Sequence, residues 1–406
     1  MIKVNKPKIR FKNFNDSWSL RKLSDTQTDF KDGNYGEAYP KETDLTSSTQ
    51  GVPFLRGSDL DNGKLTLTNA RYITQSKHNE LISGHLIEDD IVIAVRGSLG
   101  SLGYVGPDNE GWNINSQLAI IRTRKIELIG NYLIQFLLSN RGNKEISSHI
   151  TGTALKQLPI KQLKNIKVPI PKIEEQSAIG SLFRTLDDLM SSYKDNLANY
   201  QSLKASMLSK MFPKDGQTVP EIRLKGFEGE WKEKEFSKLV KRVTQSSDSD
   251  SLPKVEFEDI VSGQGQLNKD ISRKLDNRKG IHFKPGYTLY GKLRPYLNNW
   301  LLPKFEGVAL GDFWVFDPNG NDSNFIYYLV QSNRYQKVAN DTSGTKMPRS
   351  DWKSVSTTIF AIPQTITEQQ AIGSYFSNLD NLINSHQEKI SQLETLKKKL
   401  LQDMFI

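Results

Sequence analysis

The chain has 406 residues, 36% of them hydrophobic, no cysteine, and a formal net charge of +9. That length suits two or three domains with cores of their own. The missing cysteines exclude disulfides and cysteine-built zinc sites, and the positive charge points to a polyanionic partner, nucleic acid before an anionic membrane. Apolar runs such as DIVIAV and NYLIQFLL are too short to span a bilayer, so no membrane partner is expected. The N-terminal MIKVNKPKIRFKNF lacks the apolar core of a signal peptide, and a cytoplasmic location is expected.

In chain order, a basic-aromatic lead-in comes first, PKIRFKNFNDSW from Pro7 to Trp18. β-Branched runs bounded by turn residues read as strands, IVIAV from Ile91 and QLAIIR from Gln117. GNYLIQFLLSN, from Gly130, has helical spacing. A turn, TGTALKQL from Thr151, leads through VPIP to EEQSAIGSLFRTLDDL at Glu174. The same order then returns. PEIRLKGFEGEW runs from Pro220 to Trp231, and YTLYGKL and VALGDFWVF read as strands. NFIYYLVQSNRYQKVA reads as a helix, SGTKMPRS from Ser343 leads to FAIP, and TEQQAIGSYFSNLDNL starts at Thr367. Ala371 stands 193 residues after Ala178. A tandem duplication accounts for this order. It predicts two α+β domains over 1–168 and 213–361, each followed by a long helical segment, 169–212 and 362–406.

With Ile179 as heptad position a, that series continues through Leu186, Tyr193, Tyr200 and Met207, and the d series through Leu182, Leu189, Asn196, Leu203 and Lys210. In the second copy a gives Ile372, Leu379, His386, Leu393 and Leu400, and d gives Tyr375, Leu382, Lys389, Leu396 and Asp403. Heptads of this length predict coiled-coil helices, rods of about 58 Å. Glu174 and Glu175 put negative charge at the positive end of the first, and Thr365 with Glu368 have capping-box spacing at the second. An antiparallel pairing would relate the two domains by a pseudo-two-fold axis, a geometry suited to a bipartite site on DNA. The competing reading is a plain dimerisation handle.

Residues for catalysis are hard to find. NGKLT and YGKLRP lack the rest of a P-loop, and the glycines of GQGQLN and GSLGSLG read as turns. There is no Pro-Pro, hence no Asn-Pro-Pro-aromatic motif for methylating a flipped base. None of His78, His85, His149, His282 and His386 has HExxH spacing, and the adjacent acidic pairs read as solvated turns and helix faces. No metal site and no active site is expected; the chain reads as a binder.

The doubled order resembles the DNA-specificity (S) subunits of type I restriction-modification enzymes over essentially the whole chain. The matching residues are Glu175-Gln176, Ala178-Ile179-Gly180, Phe183 and Leu186-Asp187, and again Glu368-Gln369, Ala371-Ile372-Gly373, Phe376 and Leu379-Asp380. Trp18, Trp231 and the Gly-Thr turns at 152–153 and 344–345 match as well. The resemblance implies a non-catalytic subunit with two target-recognition domains, each reading half of an asymmetric site on double-stranded DNA. It implies that the helices form an antiparallel spacer and a dock for two modification (M) subunits, which methylate adenine using S-adenosylmethionine. Two restriction (R) subunits would bring ATP and Mg chemistry. Helix residues expected to serve spacing and docking are Ile179, Leu182, Phe183, Leu186, Leu189, Tyr193 and Tyr200, with Ile372, Phe376, Leu379, Leu382, His386 and Leu393.

Base edges are read by Arg, Lys, Asn and Gln, and phosphates by cations, hydroxyls and backbone N–H groups. On that chemistry the first domain offers Arg56, Arg71, Arg96, Ser98, Thr153, Lys156 and Gln157, in or beside Gly-rich turns. The second offers Arg273, Lys292, Arg294, Tyr296, Thr345, Lys346 and Arg349. For each, a solvated turn residue is the competing reading, and the Gly-Thr turns also read as hinges against the helix start. A duplicated DNA-binding regulator and a coiled-coil adaptor are the rival functions.

Overall fold

The computed structural model describes residues 7–272, 277–342 and 346–405. The described residues form ten α-helices: α1 (Gln75–Glu80), α2 (Gly130–Leu138), α3 (Asn140–Ser148), α4 (Ile160–Leu163), α5 (Ile173–Lys210), α6 (Phe236–Leu239), α7 (Ser323–Leu329), α8 (Asn333–Ala339), α9 (Trp352–Thr357) and α10 (Ile366–Asp403). The chain divides into two compact units, Met1–Tyr193 together with Lys389–Ile406, and Lys194–Glu388.

In the first unit the main sheet is antiparallel, in the order Asp29–Asp32, Leu118–Arg122, Ile91–Ala94, Leu102–Tyr104. Its middle strands are covered on both faces, which is why they read as unbroken apolar runs instead of alternating ones. Ile91, Ile93, Ala119 and Ile121 face α2, the start of α5 and the last residues of α10. Val92, Ala94, Leu118 and Ile120 face Leu55, Leu86 and Ile114. A second, mixed sheet is ordered Asn113–Ile114, Val52–Leu55, Arg71–Ile73, Leu45–Thr46, its first pair parallel. Ser19–Lys22 pairs antiparallel with Lys167–Ile170, which brings the lead-in to the root of α5.

The second unit has an antiparallel sheet in the order Lys241–Val243, Phe313–Asp317, Thr288–Gly291, Trp300–Leu301. Its mixed sheet runs Ser246–Ser247, Gly280–Phe283, Gly307–Ala309, Lys254–Val255, with the last pair parallel. Lys232–Glu235 pairs with Ile359–Ile362 at the root of α10. The expected strand VALGDFWVF is two strands, broken where Gly311 takes φ 82°. The expected helix from Asn324 is likewise two, α7 and α8, because Ser332 caps α8 by accepting from the Tyr335 N–H.

The long helices each have 38 residues. In the first unit α5 buries or half-buries Ile179, Phe183, Leu186, Met190 and Tyr193. In the second it half-buries Leu197, Tyr200, Lys204 and Met207. The a series of the heptad is therefore sheltered as expected, but its companion is position e, not d. Leu189 is 41% exposed and Leu203 37%, and in α10 Leu382 is 40% and Leu396 45% exposed. Charge explains the difference: Lys204 and Lys397 occupy e positions, sheltered because each meets an aspartate. Lys397 Nζ lies 2.6 Å from Asp187 in the first unit and Lys204 Nζ 2.7 Å from Asp380 in the second. An apolar count cannot see such a position. Within each unit the helical segments run antiparallel: Phe183 stacks on Phe405 and Asp187 meets Lys397 in one, while Phe212 stacks on Phe376 and Lys204 meets Asp380 in the other.

Candidate nucleic-acid interface

Each unit seats its long helix through one buried carboxylate. Glu175 accepts from both Arg10 Nε and Nη2, at 2.6 and 2.7 Å, and from Trp18 Nε1 at 3.0 Å. Glu368 accepts from Arg223 Nε and Nη2, at 2.7 and 2.9 Å, and from Trp231 Nε1 at 3.1 Å. A bidentate guanidinium and an indole N–H satisfy a carboxylate that water does not reach, and the carboxylates raise both guanidinium pKa values through those bonds. Glu174 and Glu175 lie in the first turn of α5 as expected, and Glu175 is in addition the lead-in's acceptor. One expectation is corrected, since only half of the capping box forms: the Glu368 N–H donates to Thr365 Oγ1 while its carboxylate turns to Arg223. Gln176 and Gln369 then clamp the helix root, accepting from the N–H of Ile129 and of Asp322 and donating to the carbonyls of Pro171 and Pro363. The glycine between them and the phenylalanine permits close approach, since a Cβ on Gly373 would lie 2.7 Å from Asn324 Cβ and Asp322 Oδ1.

From that base the first unit presents its exposed turns. Arg96 and Ser98 follow the central strand and are exposed, with the Arg96 guanidinium 5.4 Å over the Tyr35 ring. Burial raises Asp32 above the usual carboxylate range while Arg96 pulls the other way, and burial raises Tyr35. Thr153, Lys156 and Gln157 are exposed on a loop whose stem joins the sheet by the Leu158 N–H donating to the Val95 carbonyl at 3.0 Å. Gly57 lies against Ser98, so Arg56 is close by, but Arg56 is occupied: it donates to the Asn69 carbonyl and lies 3.6 Å from buried Asp59. Arg71, on the mixed sheet, pairs loosely with Glu42 at 3.5 Å, both well exposed.

In the second unit Lys292, Arg294, Tyr296 and Arg349 converge, and exposed Lys346 adjoins them in the chain. Leu293 pairs with Arg349, and the Arg294 N–H donates to the Pro348 carbonyl at 2.7 Å. Arg294 takes φ 46° and is exposed, and Tyr296 is 58% exposed. Asp312 receives Arg349 at 3.2 and 3.0 Å and lies 3.6 Å from Lys292. The Arg349 hydrogen bond, with Lys292 adding to it, holds the Asp312 carboxyl below its usual range. Arg273 and Thr345 lie outside the described residues.

Among the helix candidates, Ile179, Phe183, Leu186, Ile372, Phe376 and Leu379 are buried, and they sit in the cores of their own units. That placement corrects their expected availability to a partner. Leu182, Tyr193, Tyr200, His386 and Leu393 are half-buried, Tyr200 and His386 edge to face at 5.2 Å. Leu189 and Leu382 are exposed. The charge-based search missed Tyr35, Asp312, Arg10 and Arg223. For the last two a signal existed, because PKIR and PEIR repeat the arginine wherever the glutamate repeats.

Among the described residues no group of three or more His, Asp or Glu is arranged to hold a metal ion, and no helix is long and apolar enough to cross a membrane. What the exposed turns can do is present guanidinium, ammonium, amide and hydroxyl donors to phosphates and base edges.

A family model described as the type I restriction modification DNA specificity domain matches residues 17–199 and 283–395. A relative from Methanocaldococcus jannaschii, named as a specificity subunit of the type I restriction enzyme MjaX, is 21% identical over 419 aligned positions, which cover 95% of this chain and 92% of the relative. The type I restriction enzyme EcoBI specificity subunit of Escherichia coli is 27% identical over 175 residues, 40% of this chain and 35% of that protein. Among solved structures, a type-I restriction-modification system S subunit from M. genitalium has a TM-score of 0.64 at 14% identity, over 99% of both chains. A chain from a structure of complex assembly and conformational transition in the type I R-M system has a TM-score of 0.50 at 14% identity, over 95% of this chain and 96% of that one. At such identities the structural likeness establishes the mixed α+β fold.

Proposed function

The chain belongs to the type I restriction-modification DNA-specificity family, and from that premise we propose that its two halves divide the reading of one asymmetric, bipartite site on double-stranded DNA. It is a specificity subunit; residues 1–168 and 213–361 serve as the recognition domains. The observation that carries this is the family match, which falls on both halves of the chain, 17–199 and 283–395. The same match leaves the regulator and the adaptor without support.

In this reading α5 and α10 form one antiparallel coiled coil that sets the number of unread base pairs and, with the rest of 169–212 and 362–406, docks two modification subunits. Those subunits bind S-adenosylmethionine and methylate adenine, and two restriction subunits use ATP and Mg; this chain recognises DNA without catalysing a reaction, in the cytoplasm. Arg96, Ser98, Thr153, Lys156 and Gln157, with Lys292, Arg294, Tyr296, Lys346 and Arg349, are the contacts favoured by exposure. Arg349 and Lys292 are held by Asp312 and exchange that carboxylate for acceptors on the DNA on binding.

The test is to map methylated adenines in a host carrying the modification subunits with and without this chain. A bipartite motif should appear only with it, and binding of that duplex by the assembled complex should weaken steeply with salt. Inserting one four-residue turn within 185–205 should lengthen the gap and leave both half-sites intact. Methylation that ignores the chain, or an insertion that alters a half-site, would overturn the reading.

A further inference from the structure

Two exposed aliphatic side chains hold the same place in the two units. Leu155, in TGTALKQL, is 87% exposed, and Met347, in SGTKMPRS, is 48% exposed. Ile82 and Ile126 are as exposed as Leu155, but no exposed aliphatic lies in the turns that follow the corresponding strands of the second unit, Gly280–Phe283 and Phe313–Asp317. A doubled apolar tip within a polar loop is the feature that needs an account.

The first loop is closed at its neck. Thr151 and Gln157 exchange backbone hydrogen bonds, both 2.9 Å, and Gly152 takes φ 90°. A Cβ on Gly152 would lie 2.4 Å from the Leu155 carbonyl oxygen. So tight a loop keeps Leu155 outside, and its stem is tied to the central strand beside Arg96 by the bond from Leu158 to Val95. In the second unit the Ser350 N–H donates to the Lys292 carbonyl at 2.9 Å and the Arg294 N–H to the carbonyl of Pro348, the residue after Met347, while Lys346 and Arg349 stand on either side in the chain. In both places the aliphatic tip is flanked by side chains whose donors suit base edges: Lys156 and Gln157 in one, Lys346 and Arg349 in the other.

The major groove offers one apolar feature among those edges, the C5 methyl of thymine. We infer that Leu155 and Met347 each read an A·T pair in their own half-site by packing on that methyl, a role that rests on the DNA-reading function proposed above. A wedge between base steps is the other use of an exposed Leu or Met. The neighbouring Gln and Arg, which read base edges, favour the methyl.

The probe is the mapped site as a duplex, with deoxyuridine replacing thymine one position at a time, bound to the complex of this chain with its modification subunits. For one thymine in each half-site, loss of the methyl should weaken wild-type binding about fourfold, the value of one buried carbon. Leu155→Ala should abolish that sensitivity in the first half-site only and Met347→Ala in the second only, with the salt slope unchanged; Leu155→Met should retain it. Uniform indifference to uracil overturns the inference, as does sensitivity that survives both substitutions. Weaker binding by Leu155→Ala without any methyl dependence would reveal a wedge, and failure of the variants to assemble with the modification subunits would reveal a protein contact; either rejects the inference. Specific wild-type binding without methyl sensitivity sinks this inference alone, whereas absence of specific binding sinks the function with it.

Discussion

The two units secure their helices with the same side chains and differ in what they leave outside. Glu175 with Arg10 and Trp18 corresponds to Glu368 with Arg223 and Trp231. The stack of Phe183 on Phe405 corresponds to that of Phe376 on Phe212, and the pair Asp187–Lys397 to Asp380–Lys204. The turn after the central strand differs: its left-handed position holds Gly97 in one unit and Arg294 in the other. One parallel strand pair carries buried Phe54 in the first unit and buried Lys254 in the second, where Nζ meets no hydrogen-bond partner among the described residues. Residues that seat a helix are constrained on every side, whereas turns can change chemistry without disturbing a core.

Glu175→Ala leaves Arg10 and Trp18 without their acceptor and should destabilise the first unit by about 3–5 kcal/mol; Glu368→Ala should do the same to the second. Amide hydrogen exchange resolved by unit would show the loss on one side only, and equal loss in both units would refute separate anchors. Lys254→Met should act in the opposite direction, stabilising the second unit by about 2 kcal/mol, because an unpartnered buried amine is removed. A lowered midpoint in urea would count against that. Gly373→Ala should cost about 2 kcal/mol, and Gly180→Ala about 1, because the contacts a Cβ would make are 2.7 Å in the first case and 3.1 Å in the second. Reversed ranks would show that the two seats differ. The smallest effect belongs to Leu189→Ser and Leu382→Ser, within about 0.5 kcal/mol each, as expected of exposed positions. A large drop in thermal midpoint would restore the d positions to the seam.

The duplication was legible because the seating residues repeat as letters, and the central strands because burial on both faces leaves unbroken apolar runs. The helix seam was half legible. Leu182 and Phe183, or Leu189 and Met190, are adjacent apolar residues, and hydrophobicity alone cannot choose between them. The choice is made by Lys204 and Lys397, whose aspartates are far away in the chain. Distance in sequence also hid the role of Glu175, since Arg10 is 165 residues away. Gly-rich turns identified Arg96, Lys156 and Arg294 as exposed cations. They could not show that Arg56 is spent on its own turn, nor that Asp312 holds Arg349. A search for charge was also blind to Leu155 and Met347.

The ring of Phe405 lies among Tyr132, Phe136 and Phe183. During synthesis, therefore, the first unit waits for Phe405 to leave the ribosome, while Lys194–Glu388, unbroken in sequence, can fold first. The usual order of vectorial folding is inverted here. A nascent chain released before Phe405 would carry its defect in the unit that was begun first.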